Sequence, residues 1–281
     1  QLFLMHPDSK VVSQVIEYAL ARARQLTGVK IHSYCALSDH PHILVTDVAG
    51  NISDFMRNFF SLVARLLNAH RGRRGFGFGP PRCSRLMLVD HEDQLERIGY
   101  IAAQPIAAGI FDKARHWKGA MSTPLDLKKP RVIKQPKVPF FSKKTSLPES
   151  IELALDSLPA QEGKSLSAAI AEQLAVVERA CREARAKRYA SGKGFLGEEG
   201  LKKISWRNRA RTEHPFREMS PYVACKNRER RIAALRELRE FRRAYREALR
   251  KYMAGDREVV FPYGTNKLRP YVRVAAATPP P

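Results

Sequence analysis

Residues 35–47 of the chain read CALSDHPHILVTD, and this stretch carries two histidines, His40 and His42, one residue apart. The apolar residues after His42 predict a β-strand, and side chains at positions i and i+2 of a strand point to the same face. Pro41 between the histidines cannot donate a hydrogen bond to a neighbouring strand, so it predicts a sheet edge or a bulge. The pair therefore indicates either two ligands of one metal ion or two ordinary half-buried strand residues.

A second segment, further along the chain, carries groups that favour the metal site. Tyr100 and Gln104 stand four residues apart and would share one face of a helix, which Pro105 would end. A tyrosine can act as a nucleophile, and an amide oxygen suits a hard cation such as Mg²⁺ or Mn²⁺. Two imidazoles and one amide would leave positions on the ion open for phosphate oxygens. The alternative is a core tyrosine that packs among its apolar neighbours.

The overall charge indicates the kind of partner. Lys and Arg number 50 against 28 Asp and Glu, a formal net charge of +22, while a hydrophobic fraction of 44% predicts a folded chain. A folded protein this basic favours a polyanion, because neutralisation of phosphates releases counterions. The alternative is a basic protein whose arginine-rich helices are simply solvated. The cysteines are widely scattered, which favours a reducing compartment, and no apolar run is long enough to span a membrane.

The order of the elements predicts the fold class and the domain organisation. Residues 1–120 show the pattern of strand, helix, strand pair, helix, strand and helix, which indicates an α+β fold with a small antiparallel sheet covered by helices. Residues 121–148 mix prolines with lysines and arginines and predict a basic, extended linker. Residues 149–281 predict a basic, mostly α-helical region, in which the strongest helix spans residues 226–254.

Two groups of arginines are candidates for contact with nucleic acid. Arg71, Arg73 and Arg74 open a glycine-rich stretch, residues 71–81, which predicts either a basic loop that touches DNA or a plain connection. The polar surface of the helix at residues 226–254 predicts either a DNA contact or a solvated face that glutamates partly neutralise. The candidates on that helix are Arg239, Arg242, Arg243 and Arg246.

His-x-His on a strand, Tyr-x-x-x-Gln-Pro on a later helix and the Ala-Gly-Ile that follows resemble the one-tyrosine HUH transposases, and among them the REP-associated tyrosine transposases. The matching residues are 35–47 and 100–110, and their order and spacing agree with the family over residues 1–120. The resemblance implies a ferredoxin-like α+β fold, the HUH nuclease fold, whose antiparallel sheet is covered by helices. Asp39 stands where the family usually has asparagine, and the family's first strand would lie before Gln1.

The resemblance also implies a role for each residue of the motif. His40, His42 and Gln104 would hold Mg²⁺ or Mn²⁺, and Tyr100 would form a covalent 5′-phosphotyrosine with single-stranded DNA. Proteins of this family nick and rejoin DNA hairpins formed by palindromic repeats, and the covalent intermediate conserves bond energy without ATP. They act in the cytoplasm at the nucleoid, with no membrane partner, as monomers or as homodimers, and the sequence leaves both states open. A different interpretation is a domesticated, non-catalytic nucleic-acid-binding protein on the same fold.

Overall fold

A computed structural model describes residues 2–74, 84–140, 147–209, 222–265 and 274–278. The molecule is a mixed α/β protein, about 50% helical and 14% strand, with small sheets. The mixed composition of helices and strands is therefore confirmed. The part of the glycine-rich stretch that follows Arg74, residues 75–81, lies outside the described residues.

The first half of the chain supplies two long helices, a hairpin and a short helical corner. Its elements are α1 (Lys10–Thr27), β1 (Lys30–Ala36), β2 (Pro41–Thr46), α2 (Ile52–His70), β3 (Leu86–Leu88), α3 (His91–Ala102), α4 (Gln104–Ala107) and β4 (Arg131–Lys134). Helix α1 ends because Gly28 adopts a left-handed conformation, with φ of 70°, which a glycine takes at little cost.

The second half of the chain is dominated by two long helices, as its composition predicts. Its elements are β5 (Ser150–Leu153), α5 (Leu166–Ala190), α6 (Gly197–Lys202), β6 (Tyr222–Ala224), α7 (Arg228–Met253), β7 (Val260–Phe261) and β8 (Ala275–Ala276). Apolar side chains of α7 pack with β7 and β8 in a small cluster of their own. Within the described ranges, no helix combines the length and the apolar character that crossing a bilayer requires.

The strands pair in twos. The described strands form an antiparallel β1–β2 hairpin, a parallel β3–β6 pair, an antiparallel β4–β5 pair and a parallel β7–β8 pair. On its other side β1 is joined by an extended segment, since the Ala36 amide donates to Ala120 O at 2.8 Å and the Ser122 amide to Tyr34 O at 2.9 Å. The sequence predicts one antiparallel sheet in the first part of the chain. In the structure β3 instead pairs in parallel with β6. The two strands are far apart in the chain, so local sequence patterns could not predict their pairing.

The main core lies between α1, α2 and the hairpin. Val12, Ile16 and Leu20 recur at helical spacing on α1 and are at most 1% exposed, and Phe55 and Phe59 of α2 are fully buried. Each such side chain contributes about 1.5–3 kcal/mol through burial of apolar surface. The packing of α2 on α1 holds the hairpin from one side.

Part of the segment predicted as a basic, extended linker packs on the main core. Strand β4 pairs with β5 in register from Arg131 to Lys134, and Ile133 and Val138 are buried in the main core. Tyr18 of α1 donates a hydrogen bond to Pro148 O at 2.6 Å, which ties the end of the segment to the same core. The alternating burial of this strand was hidden among prolines and lysines. The division of the chain into a domain, a linker and a helical region remains a prediction.

Helix α5 lies directly against α3. A Cβ atom on Gly99 would stand only 2.8 Å from Val176 O and 3.0 Å from the Ala180 Cβ, so the two helices approach as closely as a glycine permits. After α5 the chain returns to the end of α4, where the Leu196 amide donates to Gly109 O at 2.9 Å. The helical second half therefore supports the elements that carry Tyr100 and Gln104.

Candidate active site

The hairpin β1–β2 positions the two histidines. Pro41 is the first residue of β2 and lies opposite Ala36, so its missing N–H falls at the start of the ladder. His42 lies opposite Cys35, and His40 O accepts a hydrogen bond from the Leu37 amide at 3.0 Å. The two imidazoles converge, with ring centroids 4.7 Å apart and Nε2 atoms 3.0 Å apart.

Helix α3 brings Tyr100 to the same place. Its ring centroid lies 5.7 Å from that of His42, and the rings meet edge to face at 87°. The residue is 46% exposed, which is unusual for a large aromatic residue. The alternative prediction, a tyrosine buried in the core, is therefore wrong.

Gln104 lies at the first position of α4, where the chain turns after α3. The residue is only 7% exposed, its Nε2 donates to Tyr100 O at 3.1 Å, and its side chain lies close enough to His42 to act on the pKa of that ring in the upward direction. The amide therefore lies between the Tyr100 backbone and the His42 ring. The structure brings together all of the residues that the motif predicts as catalytic and metal-binding.

Electrostatics favour a neutral His42. Burial, together with the positive charges of His40 and Arg97, lowers the pKa of His42 to about 4. At neutral pH this ring has a lone pair available for a ligand bond. In the neutral form of the His40 ring the proton is on Nδ1, which donates to Asp39. In that form either His42 Nε2 donates to His40 Nε2 or both Nε2 lone pairs face a cation.

Asp39 fixes the orientation of His40. Its Oδ1 accepts a hydrogen bond from His40 Nδ1 at 2.8 Å, which leaves Nε2 as the free atom of that ring. Burial acts to raise the pKa of Asp39, but the hydrogen bond and the charge of His40 outweigh it and lower the pKa below its usual value. Carboxylates hold the histidine ligands of metal sites in this way. In the sequence Asp39 was noted only as a departure from the pattern of the HUH transposases, although a carboxylate next to a candidate ligand histidine was a usable signal.

The donor set fits a divalent cation. Metal–ligand bonds of about 2.1 Å at right angles separate two donor atoms by roughly 3 Å, which agrees with the 3.0 Å between the histidine Nε2 atoms. His40, His42 and Gln104 are the residues that would hold the ion. Two nitrogens and one amide oxygen suit Mn²⁺ or Mg²⁺ with further positions left to substrate oxygens.

Arg97 belongs to the site and was missed in the sequence. Its guanidinium carbon lies 4.6 Å from the centre of the Tyr100 ring, a cation–π arrangement between residues three apart on α3. The spacing was visible in the sequence, but many helices carry an arginine one turn from an aromatic residue. Only the surroundings of the guanidinium set this one apart.

The arginines predicted to touch DNA fall into different classes. The side chain of Arg71 is 5% exposed, pairs with Asp8 and donates to His6 O at 3.0 Å, so it holds the chain start to the end of α2. Arg73 lies 5.9 Å from the Trp206 ring, and Arg74 is exposed. On α7 three of the candidates are exposed, and that helix packs chiefly with β6 and β7 and not with the hairpin; these candidates are Arg239, Arg243 and Arg246. Arg242, half-buried, accepts at its carbonyl from Arg246 Nε at 3.1 Å.

A second cluster of ligand-type side chains, formed by Asp90, Asp93 and Cys225, has a structural explanation. The Cys225 thiol donates to Asp90 at 2.8 Å, and Arg230 pairs with the same carboxylate at 2.6 Å. The arginine already neutralises the acid that a cation would need. The cluster joins the start of α7 to the start of α3, the helix of Tyr100.

Comparisons with protein-family models, with curated proteins and with solved structures found no match for this chain. The resemblance to the HUH transposases therefore rests on residues 35–47 and 100–110 themselves. The geometry of the four side chains is independent of that resemblance, because it follows from the fold.

Proposed function

We propose that this protein is a metal-dependent transposase that nicks and rejoins single-stranded DNA through a covalent 5′-phosphotyrosine. One observation carries the proposal: His40, His42, Tyr100 and Gln104 meet at one point, although they come from a hairpin and a helical corner far apart in the chain. Ordinary packing has no need to bring two imidazoles, an exposed tyrosine and a buried amide together. In this proposal the hairpin and α3 belong to an HUH nuclease fold.

The chemistry assigns a role to each side chain. A divalent ion, Mg²⁺ or Mn²⁺, held by His40, His42 and Gln104 would polarise the phosphodiester as a Lewis acid. The Tyr100 hydroxyl attacks phosphorus, so that a Tyr–O–P bond forms, the P–O3′ bond breaks and the released 3′ oxygen takes up a proton. The reverse reaction, with a 3′ hydroxyl as the nucleophile, rejoins the strand. Because one phosphodiester replaces another, no external energy source is needed.

The charge and exposure of the molecule support a DNA substrate. The formal net charge of +22 favours a polyanion, and the 46% exposure of Tyr100 leaves room for a strand laid over the site. We propose that the exposed arginines of α7 add affinity for the DNA hairpin, since their helix carries them away from the site itself. A chromosomal substrate implies a cytoplasmic, nucleoid-associated protein.

Covalent capture of DNA tests this function. Hairpin oligonucleotides with randomised single-stranded flanks, labelled at the 3′ end, are incubated with Mn²⁺ and separated on a denaturing gel. A 5′-phosphotyrosine keeps the 3′ label on the protein, so a labelled protein band is expected. The band should disappear in Tyr100→Phe and with a chelator, and it should persist in Tyr189→Phe, a change to a 59% exposed tyrosine on α5. DNA binding without any labelled band under varied metals and flanks would favour the non-catalytic binding protein.

A further inference from the structure

The position of Arg97 ties it to the nucleophile. It lies three residues before Tyr100 on α3, so both side chains leave the same face of the helix. The guanidinium carbon stands 4.6 Å from the centre of the tyrosine ring, and the positive charge is felt at His42. Helix α3 therefore sets the positions of both the Arg97 guanidinium and the Tyr100 phenol.

The surroundings of Arg97 hold no anion for it. Within the described ranges no carboxylate pairs with Arg97, and its buried Nε has no hydrogen-bond partner. The acids nearest to it in sequence are engaged elsewhere, since Glu96 pairs with Lys226 and Asp93 accepts from the Lys226 amide at 3.3 Å. By contrast, Arg24, Arg71 and Arg131, whose side chains are 35% exposed or less, pair with Asp156, Asp8 and Glu17 respectively.

A partly desolvated charge without a counter-ion is costly to maintain in a fold that meets this need elsewhere. The cost is understandable where the counter-ion arrives with a ligand. A guanidinium presents parallel N–H donors that match two oxygens of a phosphate, and such charge-assisted pairs are among the stronger hydrogen bonds in proteins. A guanidinium carbon 4.6 Å from the centre of the Tyr100 ring is close enough for its N–H groups to reach a phosphate that stands at the hydroxyl of that ring.

We propose that Arg97 is a catalytic residue that binds the phosphodiester attacked by Tyr100 and then the phosphotyrosine that forms. This inference rests on the proposed function for its substrate, and on the unpaired guanidinium for its chemistry. Arg97 neutralises the phosphate charge both when Tyr100 attacks and when the 3′ hydroxyl rejoins the strand. Between turnovers, the cation–π contact with the Tyr100 ring holds the guanidinium in place.

Binding of inorganic phosphate tests the anion site without any cleavage. In the metal-free protein, phosphate should shift the side-chain NMR resonances of Tyr100 and His42. The shifts should vanish in Arg97→Gln and persist in Arg57→Gln, which removes an exposed arginine of α2 paired with Asp54 at 3.0 Å. If phosphate moves neither resonance in the unaltered protein, the inference about Arg97 is overturned, whatever the DNA experiments show. Phosphate shifts without any covalent DNA adduct would overturn the proposed function and leave the anion site standing.

A charge-neutral substrate separates catalysis from mere bracing of the tyrosine. At saturating DNA, Arg97→Gln should slow adduct formation by about 10²–10³-fold, and Arg97→Lys should recover part of the loss. When the scissile phosphate, mapped with the unaltered protein, is replaced by a neutral methylphosphonate, the difference between Arg97 and Gln should shrink to below about tenfold. An equal loss on both substrates would assign Arg97 to positioning Tyr100 and overturn its role at the phosphate.

Discussion

The Nε2 atoms of His40 and His42 lie 3.0 Å apart, although only His42 has a partner in the β1 ladder. Asp39 holds the ring of His40 through Nδ1, and burial of His42 keeps that ring neutral at pH 7. The local conformation at Pro41 therefore does not separate the two imidazoles. Both imidazole rings therefore direct their Nε2 atoms toward each other.

Removal of the orienting carboxylate should weaken metal binding. Asp39→Ala frees the ring of His40 to rotate, and loss of such a partner costs about 10–100-fold in metal affinity. Asp39→Asn keeps a hydrogen-bond acceptor beside His40 and should lose less. Titration calorimetry with Mn²⁺ measures the affinity. Asp112→Asn is the matched control, because Asp112 also stands beside a histidine, His116 at 3.5 Å, that is not part of the motif. Equal affinities for all three variants would contradict the role of Asp39.

The close approach of α3 and α5 should not tolerate a methyl group. Gly99→Ala would place a Cβ 2.8 Å from Val176 O, so one helix must move. Overpacking of this kind costs about 1–3 kcal/mol, and urea unfolding should show a loss in that range. Gly194→Ala is the control, since no atom lies within 4 Å of the Cβ it would add. If Gly99→Ala were as stable as Gly194→Ala, the two helices would not be packed as closely as the structure shows.

Buried His32 should make the fold sensitive to mild acid. His32 Nδ1 donates to Asp156 O at 2.8 Å, and Nε2 lies 2.8 Å from the Thr46 hydroxyl, which donates to it. Burial lowers the pKa of His32 below 6.5, so the unfolded chain takes up a proton that the folded chain does not. The stabilisation is therefore complete above about pH 6.5 and decreases as the pH falls below that value.

Chemical denaturation between pH 8 and pH 5 tests this dependence. His32→Gln should make the free energy of unfolding fall less steeply with decreasing pH. Thr46→Val keeps the buried histidine and removes one hydrogen bond, so it should lose about 0.5–1.5 kcal/mol at pH 8 and retain the slope. An unchanged slope in His32→Gln would assign the pH dependence to other groups.

Arg71 should matter for stability and Arg74 for DNA. Arg71→Gln removes a buried pair with Asp8 and bonds to two carbonyls, and should lower the free energy of unfolding by about 1.5–3 kcal/mol. Arg74→Gln changes an exposed side chain and should leave stability unchanged. It should instead reduce the salt dependence of single-stranded DNA binding by about 0.7 in the log–log slope. If Arg71→Gln left the free energy of unfolding unchanged, the structural role of Arg71 would be contradicted and Arg71 would again be a candidate for DNA contact.

Local patterns in the sequence predict the helices and the hairpin well, because apolar spacing reports directly on burial. The spacing of Val12, Ile16 and Leu20 indicates α1, and the run after His42 indicates β2. The partners of short strands are beyond such patterns: β3 and β6 have three residues each and lie far apart in the chain. A strand among prolines, such as β4, hides its alternation.

The motif residues of the candidate site could be predicted because their chemistry is unusual at that spacing. Arg97 could not, because its significance lies in the carboxylate that it lacks, and a sequence does not show which charges remain unpaired. Asp39 lies between these cases, since its position beside His40 was visible but its hydrogen bond was not.

The contact of α5 with α3 sets a boundary for anyone who wishes to shorten the protein. A fragment cut after the proline-rich segment would expose the flat side of α3 around Gly99 to water and would lose strand β5 from beside β4. A shorter piece that keeps the support of α5 for the Tyr100 helix must run through the end of α5 at Ala190, and the turn at Gly109 calls for Leu196 as well. Helix α5, which the sequence places in a separate helical region, is thus a structural support that a shortened protein must retain.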